Sequence, residues 1–140
     1  MAGNIHELRP KAASDSEKIT INIGYVDLGH IELLVKDGFY SNRTDFIRTA
    51  IRNQIDRYAE AATQSVARKG LDLGLRHYSR KDLEAVRAAG QTIDIQVLGL
   101  ATIADDVPPE LARATIASVS VLGALQASAA VKAVLADRTR

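Results

Sequence analysis

Three polar side chains, Lys18, Thr20 and Asn22, alternate with Ile19, Ile21 and Ile23 in the run KITINI. Strict alternation is the mark of a strand with one apolar and one polar face. The polar residues are of kinds that make contacts to base edges. A lysine ammonium donates to guanine O6 and N7, an asparagine amide pairs with adenine N6 and N7, and a threonine offers a hydroxyl and a methyl. A solvent-facing strand of ordinary polar residues has the same pattern, so the run alone is not diagnostic.

A second constellation follows at Ser41-Asn42-Arg43-Thr44-Asp45. Ser41 or Asn42 serves as a helix N-cap, with Asp45 placed as in a capping box. The free N–H groups of such a helix start, with the Ser41 and Thr44 hydroxyls and the Arg43 guanidinium, fit a phosphate. A well-capped helix is the plain alternative. Arg48 and Arg52, four apart, share one face of that helix, where they are expected to be solvated or paired with Asp45 and Asp56 and not bound to DNA.

Other chemistries find little support. The chain has no cysteine, and His6, His30 and His77 are scattered, so neither a thiolate site nor a histidine pair is available for a metal. No cofactor is expected. His77, Ser79 and Asp82 lie close in sequence but lack a nucleophile elbow, and Asp105-Asp106 reads as a turn before Pro108. Neither a dinucleotide nor a P-loop glycine pattern occurs. No enzyme is expected.

The elements that position these residues follow from spacing. Residues 1–16 are polar and aperiodic, an expected flexible arm. After the strand, Leu28, Ile31, Leu34 and Val35 keep helical spacing up to Gly38. From Phe46 to Val66 the same rhythm predicts one long helix, with Arg68, Lys69 and Gly70 suited to its end. A single six-residue strand cannot satisfy its backbone alone. The economical solution is a two-fold dimer in which two strands pair antiparallel, isoleucines inward and Lys18, Thr20 and Asn22 outward.

Residues 70–140 differ. Leu73-Gly74-Leu75, Leu98-Gly99-Leu100 and Leu122-Gly123-Ala124 recur at intervals of 25 and 24 residues. Strands are expected at Leu71–His77, Ile93–Leu98 and Val119–Leu122. Helices are expected at Arg80–Ala89 after Ser79, after Pro108-Pro109, and at Ala129–Ala136 after Ser128. Three β-α units in an array follow. The expected fold class is α+β: a β-α-α dimer over 17–69 and a small α/β domain over 70–140.

Composition limits the class of protein. Net charge is +1, and residues 1–60 hold eight Lys/Arg against nine Asp/Glu, so bulk basicity offers no argument for nucleic acid. No apolar run reaches the ~20 residues of a membrane span, and the N-terminus lacks a signal-peptide core. A soluble cytoplasmic protein is expected.

The run from Lys18 to Ile55 resembles the ribbon-helix-helix family of DNA-binding regulators. Its carriers are the alternating strand, a first helix closed by Gly38-Phe39, the turn Tyr40 to Asp45, and Phe46-Ile47-Arg48. The resemblance covers about residues 17–60 and implies a dimer on double-stranded DNA, repressing transcription. It further implies base reading by Lys18, Thr20 and Asn22, and phosphate binding by Ser41, Asn42 and Arg43. Gly24 stands where many members carry a polar cap. Residues 70–140 would then join subunits, up to a tetramer or beyond, or sense an effector. Two alternatives remain open: an antitoxin that also neutralises a toxin, and a structural protein that self-assembles through its array.

Overall fold

The computed structural model describes residues 16–140, so the expected arm at 1–16 lies, but for Ser16, outside them. The described chain runs α1 (Tyr25–Lys36), α2 (Arg43–Arg57), α3 (Ala59–Lys69), β1 (Asp72–Tyr78), α4 (Arg80–Ala88), β2 (Ile93–Ile103), α5 (Pro109–Thr115), β3 (Ile116–Gln126) and α6 (Ala129–Leu135). A 3-10 turn at Ala136–Arg138 follows. Mixed helix and sheet fit the α+β class. Residues 16–65 and 66–140 form two compact units.

In the first unit, residues 17–24 carry no hydrogen-bonded ladder, and Ile19, Ile21 and Ile23 stand exposed. A strand exists only through its neighbour, and one chain supplies none here. Gly24 is the N-cap of α1. The expected single helix from Phe46 to Val66 is corrected: it breaks at Tyr58, whose amide bonds to the Ile55 carbonyl at 3.0 Å, three residues back instead of four. No proline or glycine stands there, so spacing alone could not reveal the break. Of residues 16–65 only Ile31 is buried.

The second unit has a core of its own. Its three strands pair in parallel in the order β1-β2-β3. Alternate residues of the sheet, Ile95, Val97, Ala101, Ile103 and Val119, are buried with Leu83 of α4, Leu111 and Ala112 of α5, and Val131 and Leu135 of α6. Each helix starts where the sequence places it. Ser79 closes a full capping box with Asp82, Pro109 opens α5, and Ser128 accepts the Val131 amide. The strands run longer than expected, β2 to Ile103 and β3 from Ile116 to Gln126, because their ends are apolar and packed on the helices. Thr115, fully buried, satisfies its hydroxyl on the Leu111 carbonyl at 2.7 Å.

The Leu-Gly repeats are register marks. Gly74 pairs with Gly99 and Gly99 with Gly123; Leu73, Leu98 and Leu122 form the adjoining row. All three glycines have positive φ, at 112°, 137° and 123°. A Cβ on Gly99 would collide with the Gly74 carbonyl, and one on Gly123 with the Gly99 carbonyl. The spacings of 25 and 24 residues are therefore set by one backbone approach repeated from strand to strand.

The last turn is braced by arginines. Arg113 of α5 donates to the Val134 carbonyl at 2.8 Å and pairs with Asp137, while Arg138 donates to the Arg113 and Ile116 carbonyls at 2.6 and 2.7 Å. The Arg113 guanidinium holds the Asp137 carboxyl below its ordinary range, and the Ser79 amide does the same for Asp82. A carboxylate with a depressed folded pKa stabilises the fold above its unfolded value, near pH 4, and that contribution fades as pH falls through the folded value.

Two outcomes are expected on thermal or urea unfolding of the second unit. Gly99→Ala lowers stability by more than ~2 kcal/mol through positive φ and the carbonyl clash. Leu83→Ala, emptying a fully buried position, costs ~2–5 kcal/mol. A Gly99→Ala protein as stable as the parent would show that the glycine row is not a structural constraint.

Candidate nucleic-acid interface

Lys18, Thr20 and Asn22 are all exposed and precede α1 on a segment that has no partner strand in the described chain. Ser41 to Thr44 sit at the start of α2 and are likewise exposed. Asn42 is the N-cap: its Oδ1 accepts the Asp45 amide at 2.8 Å, and the Asp45 Oδ2 in return accepts the Ser41 amide at 3.0 Å. The box thus returns one residue before the cap. Tyr40 packs edge-on against Phe46, ring centroids 5.0 Å apart, and fixes the angle at which the chain enters α2.

This arrangement settles which donors remain. The Asn42 side chain and the Asp45 amide are committed to each other. The Arg43 and Thr44 amides, in the first turn, have no intrahelical carbonyl to meet. Arg43 lies 3.7 Å from Glu32 of α1, with both side chains more than half exposed. An ion pair so exposed contributes little. The positive end of the α2 dipole adds to the same field.

Arg48 and Arg52 are exposed and form no ion pair with Asp45 or Asp56, so of the two expected states they take the solvated one; Asp45 is taken by the cap. That leaves two further cations on α2. The His77, Ser79 and Asp82 cluster separates into two structural pairs: Ser79 with Asp82 in the capping box, and His77 Nδ1 with the Thr102 hydroxyl at 2.7 Å. No group of three or more His, Cys, Asp or Glu is gathered to hold a metal among the described residues. None of the described helices is long and apolar enough to cross a membrane.

The first unit joins α1, α2 and the start of α3 to an exposed segment in which isoleucines alternate with polar residues. The chain belongs to the ribbon-helix-helix transcriptional regulator family, whose model matches residues 14–132. No curated protein and no solved structure matches it. The match runs well past residue 60, where the sequence resemblance stops, so the β-α array belongs to the family pattern. It is a regulatory family and not an enzymatic one.

Removal of the cap tests the local geometry. Asn42→Ala is expected to destabilise α2 by ~1 kcal/mol, and Asn42→Asp to keep most of the stability. Equal melting of all three proteins would mean that the cap does not set the start of α2.

Proposed function

We propose that the protein is a homodimeric repressor that reads the major groove with a two-stranded ribbon formed by Lys18–Ile23 of two subunits. One observation carries this reading. The first unit buries only Ile31, while Ile19 at 81% and Ile21 at 74% exposure face solvent, and Ile47, Ile51 and Ile55 of α2 are exposed as well. Each isoleucine covered is worth ~1.5–3 kcal/mol. Antiparallel pairing across a dyad covers them and satisfies the strand backbone in one step. Lys18, Thr20 and Asn22 of both subunits then share one outer face, which fits a major groove.

In this reading Lys18, Thr20 and Asn22 contact bases. The Arg43 and Thr44 amides, the Arg43 guanidinium and the Ser41 and Thr44 hydroxyls hold phosphate, with Asn42 fixing the helix start behind them. No cofactor takes part, and the protein works in the cytoplasm beside its DNA. The second unit joins dimers, which raises operator affinity through effective concentration. An antitoxin tail that folds only on its toxin is disfavoured by the self-contained core of residues 66–140.

The test uses duplexes selected from a random pool by the full-length protein. Asn22→Ala should weaken the selected duplex by ~1–3 kcal/mol for each base no longer read and leave a scrambled duplex nearly unaffected. Arg43→Ala should weaken both alike and reduce the salt slope by about one unit for each phosphate it ceases to neutralise. Equal weakening on both duplexes for Asn22→Ala would remove the ribbon as the reading head. Ile21→Lys places a charge under the ribbon and should abolish dimerisation; a folded dimer by light scattering would refute the pairing.

A further inference from the structure

The Leu-Gly ladder stops at both edges of the sheet with its geometry unfinished. Gly74 has a φ of 112°, like the other two, yet a Cβ there would meet nothing within 4 Å. At Gly99 and Gly123, which share that conformation, an added Cβ would run into the carbonyl of the neighbouring glycine. Gly74 has the same seat and, among the described residues, no carbonyl in it. The repeat that aims the Gly74 carbonyl at Gly99 and the Gly99 carbonyl at Gly123 aims that of Gly123 out of the open side of β3.

The leucine row shows the same asymmetry. Leu98 and Leu100, flanked by strands on both sides, are half-buried, while Leu73 and Leu75 on β1 are 74% and 75% exposed and Leu122 on β3 is 53% exposed. What the outer leucines lack is a neighbouring strand. The chain's own tail does touch the edge of β3, through a bridge between Thr139 and Val119 and the Arg140 amide on the Val119 carbonyl at 2.8 Å. Val119 pairs with Ile95, whereas β1 begins at Asp72 opposite Val97, and Val97 in turn pairs with Val121. Among the described residues, the contact of Thr139 and Arg140 with β3 thus falls on a row that β1 never reaches in its own pairing with β2.

We propose that the second unit joins copies head to tail: β1 of one copy pairs in parallel on β3 of another, Asp72–His77 against Val121–Gln126. Gly74 takes the Gly123 carbonyl of its neighbour, and the leucine row continues through Leu122 and Leu73 across the boundary. The interface repeats the two strand pairings already within the chain, with the same register. Its surfaces are different on the two partners, so it extends or closes into a ring, and it links dimers held by their ribbons. The inference deepens the assembly role proposed for this unit and is read without DNA, so it stands or falls apart from base reading.

The chain has no cysteine, which makes disulfide trapping in the full-length protein clean. Neighbouring strands lie about 4.8 Å apart, within disulfide reach. In one chain Leu73 and Leu122 are two strands apart, about 10 Å, beyond it. Oxidised L73C/L122C protein should therefore give a ladder of linked chains, or a linked ring, on a denaturing gel. L73C and L122C alone should stay unlinked, and their equimolar mixture should give linked pairs and nothing longer. Self-linking of either single variant would show that like edges meet and overturn the proposal. A double variant that stays unlinked would equally overturn the head-to-tail interface. All three proteins change exposed side chains, and unchanged circular dichroism verifies the fold.

Discussion

A segment that cannot bury its own isoleucines dominates the first unit. Residues 16–65 carry Ile19, Ile21, Ile23, Ile47, Ile51 and Ile55 on the surface and enclose only Ile31. So small a unit is marginal even when its core is complete. A second copy that pairs the strands and covers these side chains removes the deficit, and everything proposed for the site depends on that step. The ribbon places six polar side chains on one face only when two chains meet. In the proposed dimer the two α2 starts, each with its cap and its Arg43, would flank the same dyad.

The second unit has the opposite balance. Its core closes within one chain, and what stays unfinished is confined to the sheet edges. Strand edges are normally blunted by charge, proline or a covering element. Here one edge carries Leu73, Gly74 and Leu75, and the other Leu122, Gly123 and Ala124, while Thr139 and Arg140 meet that second edge at Val119. With the proposed symmetric interface in the first unit and the proposed directional one in the second, several reading heads would be strung together. Each added dimer would then bind neighbouring DNA at a high effective concentration, so that modest affinity per site suffices.

Much of this is legible in the residues. Capping signals at Asn42, Ser79, Pro109 and Ser128 place the helix starts, because caps are local chemistry. The Leu-Gly repeats announce three β-α units, and the register shows why the interval recurs along the chain: glycine is required where a neighbouring carbonyl approaches. Two features are hidden. The break at Tyr58 has no proline or glycine to signal it. The lengths of β2 and β3 depend on helices packed above them. The proposed ribbon lies in a different category, since its partner strand would be on another molecule.

Backbone hydrogen exchange over residues 18–23 of the full-length protein, followed across a dilution series, bears most directly on the central claim. Pairing across a dyad predicts slow exchange at micromolar concentration and progressive loss of protection as the protein is diluted and the dimer dissociates. Amides in this segment that exchange at the rate of an open chain at every concentration would contradict the ribbon, and with it the placement of Lys18, Thr20 and Asn22 on a common reading face.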